Sequence, residues 1–345
     1  AAWPPYWSAP AWAANVTGYP RERTGVYEDL AGELPGITFQ QPMMLDPVLD
    51  PVLALEYALS AVQVIRIAPS TARALQRPPL WSRLVDAGER PAVVRFPFSH
   101  PADPRALVVS SWAGRDEWEL GGVRTADAAG LASPGAETAL TELLRGDPAF
   151  AADLHRLLPP GEPIPVAQGF VDPREMLLRA LEIDGRTVRA AERLVRDHPG
   201  LPMVAVYLGG FDSVCHAFWP YRFPEDFPDE PPDTTDAARL GPVIDRYAEL
   251  LDGWLRRLSA LQPAANVVVV SDHGYGPIRG HPLWRGWHAR RGAIFLAAGP
   301  DVRPAAGLLE LSYLDVVPTL LEIAGFARAS DLPGRTVVSR RPRSA

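Results

Sequence analysis

Two aspartates, three histidines and one serine carry the chemistry this chain can offer. Asp212-Ser213-Val214-Cys215-His216 sets an acid and an imidazole four residues apart. On a helical turn these two share one face, so both reach a single cation, as helical i, i+4 chelates do. Cys215 lies between them and points elsewhere, into packing. Ser271-Asp272-His273-Gly274 follows directly on four valines, Val267 to Val270. Asp and His lose hydration if buried unpaired. At the carboxyl end of a parallel strand they project instead into the crevice where open α/β sheets bind ligands. His288 stands in a glycine-punctuated loop just before a short apolar strand, Ala293 to Ala298. His281, nearby, is a rival ligand or a substrate contact.

Ser8 precedes a short helix expected from about Pro10 to Thr17 and stopped by Gly18. Proline in the first turn and glycine just past the end suit those positions. The free N–H groups and the dipole at such a helix start favour an anion. Each group also has a plainer reading, Ser8 as an ordinary N-cap and Asp212 or Asp272 as a capping acid. Taken together, carboxylate and imidazole donors suit zinc or another divalent cation. A serine hydroxyl is mostly protonated at neutral pH and needs a base or a metal to act as a nucleophile. No Gly-x-Ser-x-Gly elbow surrounds Ser8, which favours metal activation over a serine triad.

The elements that must position these groups read as an α/β alternation. A short helix ending at Gly88 leads to a strand over Pro91–Pro97, and a second strand is expected at Ala106–Ser110. An amphipathic helix runs from Pro173 to about Asp197 with Leu177, Leu181, Val188 and Leu194 on its apolar face. A strand over Leu201–Leu208 ends directly before Asp212. A long helix from Ala238 to about Leu261 then returns the chain to Val267 as a crossover should. The Val267–Val270 run reads as a strand buried on both faces and paired in parallel. Further helices are expected at Asp50–Leu59 and Leu311–Gly325. Residues 112–172 lack the alternation and read as an insert or cap, with short helices near Glu137–Arg145 and Ala149–Leu158. Residues 339–345 read as a disordered tail. His100, His155 and His198 receive no chemistry.

The chain has 345 residues and a net charge of -7, which argues against a nucleic-acid polymer or a membrane surface as partner. Its 34 basic residues are all arginine, a bias of composition rather than function. The single cysteine excludes an internal disulfide and a thiolate zinc cluster. No apolar run is long enough to span a membrane. The sequence leaves the compartment open between cytoplasmic and exported, and leaves the oligomeric state open.

The order Ser8-x-Pro-Ala-Trp followed by Thr17-Gly18, then Asp212-x-x-x-His216, then Ser271-Asp-His-Gly, then His288 ahead of Gly-x-Ile-Phe-Leu-Ala-x-Gly-Pro, resembles the alkaline phosphatase superfamily. Within it the chain is similar to the type I phosphodiesterase / nucleotide pyrophosphatase branch. Leu314-Asp-Val-Val-Pro-Thr-Leu-Leu and Leu332-Pro-Gly-Arg335 resemble that family's closing segments. The resemblance implies a three-layer α/β/α core over 1–111 and 173–338, with a mostly parallel central sheet and the smaller insert. It implies hydrolysis of a small phosphate ester, a phosphodiester or phosphoanhydride, at two divalent cations, with zinc expected and manganese as the alternative. Asp212, His216 and His288 would hold one cation. Asp272, His273 and the nucleophile Ser8, which would form a phosphoseryl intermediate, would hold the other. Asp29, Tyr275 and His281 are candidates for substrate contact.

Two departures go with the resemblance. The family places an Asp-Gly-ended strand well before the nucleophile. Only seven residues precede Ser8 here, so the chain reads as truncated at its amino end. Where the family's nucleotide-cleaving members carry an asparagine after the nucleophile, an ungapped count gives Asp29. Rival readings stay within reach of the same residues. A sulfatase of the superfamily would need arginine where Trp12 stands. A phosphomutase would relocate the phosphate instead of releasing it. A non-catalytic binding protein would have kept the fold and lost a metal ligand.

Overall fold

The computed structural model describes residues 8–28, 30–34, 37–41, 59, 64, 66–115, 129–158, 164, 172–278, 286–289, 292–303, 310–327 and 329–338. Asp29 and His281, the tail 339–345 and nearly all of the helix expected at 50–59 lie outside them. The strands are β1 Leu30–Leu34, β2 Ile37–Gln41, β3 Arg66–Pro69, β4 Ala92–Val94, β5 Leu107–Val109, β6 Val204–Val206, β7 Val267–Val270, β8 Gly274–Pro277, β9 Gly286–Ala289 and β10 Phe295–Ala298. With the helices between them they form a mixed α/β fold. β5, β4 and β6 make a parallel sheet in that order. β1 pairs antiparallel with β2 and β3.

The parallel sheet is the core's centre. Ala92, Val93, Val94, Leu107, Val108 and Val109 are essentially sealed from solvent, and burying each valine stabilises by roughly 1.5–3 kcal/mol. On one face lie the Glu137–Leu144 helix, through Ala139 and Leu143, and the Pro173–Asp197 helix, through Ala190, Ala191 and Leu194. On the other, Trp12 and Val16 of the Ser8–Thr17 helix pack with Val93, Val108 and Trp81. Both faces are therefore covered by helices, as a parallel sheet requires. The Glu137–Leu144 helix, read from sequence as part of an insert, packs directly on this sheet.

β7 departs from its expected setting. Its described partner is the antiparallel β10, and its valines are half-buried. Val268, Phe295 and Ala297 pack against Val302, Ile323 and Val338, and Val270 packs toward Trp12 and Val93. The opposite face carries Leu296, which is 60% exposed and sits across from Val269. Four valines in a row are apolar on both faces whatever lies against them, so the run alone does not reveal that the strand is only half-buried.

Two further differences have local causes. The single helix expected over 238–261 is two, Thr234–Leu240 and Pro242–Ala260. Pro242 lacks an N–H, which breaks a helix interior but suits a first turn. The loop expected between Gly274 and Gly286 opens and closes on β8 and β9, which pair antiparallel with Tyr275 opposite His288. The two closing segments singled out in the sequence meet, as the Arg335 N–H donates to Asp315 Oδ1 at 2.7 Å.

Candidate active site

Ser8 opens the helix Ser8–Thr17. That helix is held by Trp12, which meets Phe96 at 5.3 Å and Tyr207 at 5.4 Å, both edge to face. Gly18 ends it at φ +77°, a conformation that favours glycine. Its packing fixes where Ser8 Oγ stands, 3.3 Å from His273 Nε2.

Asp212 and His216 lie on the Gly210–Arg222 helix. Val214, Cys215 and Phe218 of the same helix face the core, which turns the acid and the imidazole the other way, toward the cleft. Cys215 is buried, as its packing role required. Asp272 and His273 leave the carboxyl end of β7. Ser271 braces that turn, accepting the Ile294 N–H at 2.9 Å and donating to His273 O at 3.1 Å. His288 sits on β9.

These groups converge. Asp212 Oδ1 lies 3.3 Å from His288 Nε2 and 3.8 Å from His273 Nε2, and Asp212 Oδ2 lies 3.5 Å from His216 Nε2. Asp272 Oδ2 lies 3.4 Å from His273 Nε2. The His216 and His288 Nε2 atoms are 3.1 Å apart, and the His273 and His288 rings stack at 3.7 Å. Asp212, His216 and His288 each offer a ligand atom within 4.8 Å of the others. Five of the six residues chosen from sequence as ligands are thus in mutual contact around Asp212 and His273, and Ser8 touches His273.

The second nitrogens of two histidines fix their tautomers. His216 Nδ1 lies 2.9 Å from Gly286 O, and His273 Nδ1 lies 3.0 Å from Gly274 O. A carbonyl only accepts, so each Nδ1 carries the proton. Burial and the neighbouring His288 push the His273 imidazole down to about 4, so at neutral pH its Nε2 bears a lone pair. That lone pair faces the oxygens of Asp272 and Asp212.

The two carboxyls titrate apart. Burial pushes Asp212 up, but the His216 and His288 imidazoles outweigh it and hold the group well below the usual carboxylate range. Asp272 is pushed up to about 7, by burial and by the charge of Asp212. Asp212 Oδ1 and Asp272 Oδ2 accept no hydrogen bond from the described residues. Buried acceptors of this kind are costly. Two carboxylates, lone-pair nitrogens and orphaned oxygens facing one another fit a divalent cation, which supplies the positive charge that all of them lack.

Tyr275, read from sequence as a substrate contact, has its hydroxyl 3.3 Å from Asp212 O and its ring 5.2 Å from both His216 and Trp219. Sequence reasoning missed Gly286, whose carbonyl orients His216. A Cβ there would run into Cys215 O and Trp219 Cβ, so the close approach needs glycine. Gly286 precedes His288 by two residues, and that spacing on a strand was the available signal.

A family model aligns with residues 3–310, most of the chain. The chain belongs to the type I phosphodiesterase / nucleotide pyrophosphatase family. No curated protein sequence matches it. Among solved structures it is similar to the phosphonate monoester hydrolase of Silicibacter pomeroyi, at 15% identity and a TM-score of 0.36, over 96% of this chain and 66% of that one. That likeness is too slight to bear on this chain's activity. No helix among the described residues is long and apolar enough to cross a membrane.

Proposed function

We propose that this phosphodiesterase-family chain cleaves small phosphate esters by attack of Ser8 on phosphorus at a site built for two divalent cations. Asp212, His216 and His288 would hold one cation. Asp272 and His273, with Ser8, would hold the other. Carboxylate and imidazole donors without thiolate favour zinc, with manganese as the alternative. The bound cations would supply Lewis-acid polarisation of the phosphoryl oxygens and charge compensation for the serine oxygen.

The chain's own residues do the rest. The helix that begins at Ser8 places Oγ at the cleft and turns its first N–H groups toward entering anionic oxygens. Ser8 Oγ forms a bond to phosphorus as the leaving-group oxygen departs, giving a phosphoseryl ester. Water then cleaves that ester and restores the hydroxyl. Gly274 O and Gly286 O keep the His273 and His216 tautomers fixed throughout. Asp272 and Asp212 concentrate negative charge where the cations are needed.

The observation that supports this reading most is the lone-pair side of His273. Ser8 Oγ, Asp272 Oδ2 and Asp212 Oδ1 all gather on Nε2, at 3.3, 3.4 and 3.8 Å. A serine triad would instead place a carboxylate on Nδ1, where a backbone carbonyl stands. The experiment is Ser8→Ala with zinc present and bis(p-nitrophenyl) phosphate as substrate. Turnover is expected to fall by about 10³-fold or more with the circular dichroism unchanged. A phosphoryl adduct on Ser8, trapped by rapid acid quench of the wild type, is expected by mass spectrometry. Full activity in Ser8→Ala would refute the assignment.

A further inference from the structure

The Gly210–Arg222 helix starts without a side-chain cap of its own. Gly209 occupies the capping position, and the first N–H groups of any helix have no partner within it. Asp184 fills that role from a different element. It sits in the Pro173–Asp197 helix and is wholly buried. Its Oδ2 accepts the Gly210 N–H at 2.9 Å and the Tyr247 hydroxyl at 3.0 Å. Tyr247, equally buried, belongs to the Pro242–Ala260 helix. Three helices therefore meet on one carboxylate oxygen.

The fit leaves no slack. A Cβ on Gly210 would run into both the Tyr247 hydroxyl and Asp184 Oδ2. An anion at a helix N-terminus is also favoured by the dipole. Burial pushes the Asp184 carboxyl up to about 6, while the Tyr247 hydroxyl, the nearby Arg95 and the Gly210 N–H pull the other way. Arg95 is tied to the same long helix, donating to Thr187 Oγ1 at 3.3 Å.

Gly210 precedes Asp212 by two residues, within the first helical turn. His216 stands a turn further on and has its own anchor in Gly286 O. Loosening the helix start would thus displace the carboxylate and leave the imidazole in place. We propose that Asp184 is a positioning residue for the cation centre: capping Gly210 from outside the helix, with Tyr247 fixing its carboxylate, it keeps Asp212 aimed at His216 and His288. This rests on the reading of those three residues as cation ligands.

The test is calorimetric titration of zinc into the full chain and its variants, with thermal midpoints of the metal-free proteins measured alongside. Asp184→Ala is expected to weaken zinc binding about tenfold or more, in the range known for outer-shell partners. Asp184→Asn keeps an acceptor and is expected to recover most of that loss, which a purely structural role would not produce in the affinity. Tyr247→Phe, which keeps the ring's volume, is expected to weaken binding in the same direction by less, and it stands in if Asp184→Ala does not fold. Wild-type affinity in folded Asp184→Ala, or in Tyr247→Phe, overturns the proposal. Asp212→Ala in the same titration separates the two ideas. If it binds zinc as the wild type does, the cation reading itself fails. If it loses zinc while folded Asp184→Ala keeps it, only the positioning role fails.

Discussion

Asp184 and Asp212 both serve the first turn of one helix, and they are treated in opposite ways. Asp184 is shut away from water and given two donors on one oxygen. Asp212 keeps 38% of its side chain open to solvent and is set against three imidazoles and a second carboxylate; in both acids Oδ1 is left without a hydrogen bond from the described residues. A buried acid that finds donors is part of the scaffold. An acid that faces other acceptors across an open cleft is waiting for something positive. The difference lies in the partners, since both residues are aspartates beside the same helix start.

The largest expected break in that contrast comes from Asp212→Ala. It should cost more than the 10–100-fold known for outer-shell partners in zinc affinity, read by calorimetry. A weaker effect than that of Asp184→Ala would invert the comparison. Next comes the metal itself. Zinc at about 100 times its dissociation constant should stabilise the wild type by about 2.7 kcal/mol, seen as a higher thermal midpoint reversed by a chelator, and should raise the midpoint of Asp212→Ala by less.

A pH series sharpens the sealed side. The folded Asp184 carboxyl is raised from 3.8 to about 6. A raised group gives stability that is present at low pH and lost as pH climbs through the folded value. The thermal midpoint of the wild type relative to Asp184→Asn should therefore fall as pH rises from 4 to 6, and a constant difference would contradict the buried charge.

The smallest effect is expected at His100, which stacks on Trp112 at 4.1 Å and meets Ser110 Oγ at 3.2 Å. Burial, with the charge of Arg73, pushes its imidazole down from 6.5 to about 4. A lowered group gives stability that is full above its unfolded value and lost as pH falls through the folded one. His100→Phe should lose less thermal stability than the wild type between pH 6.5 and 4. Equal losses would show that the ring is not held neutral.

Much of the site was legible because its signals are local. The i, i+4 spacing of Asp212 and His216, and the acid–imidazole pair at the end of the valine run, each sit within a few residues, and the structure brings them together. The sequence puts His288 in a loop because its strand exists only through pairing with β8, and a ladder between separated segments leaves little trace in either one. Asp184 and Tyr247 lay beyond reach for the same reason. They are 26 and 37 residues from Gly210 in sequence, on helices whose patterns report only that they have a buried face. The half-burial of β7 is not legible in its valines, because apolar composition records what a strand tolerates, while exposure depends on what is packed against it.

The tie between His216 and the carbonyl of Gly286 reaches beyond orientation. The ribbon offers the helix an anchor at one residue and, two residues along, an imidazole aimed at the same neighbour. Ribbon and helix are consequently a matched pair, and anyone transplanting this centre into another scaffold would have to carry both pieces together, since neither half keeps its ring in register alone.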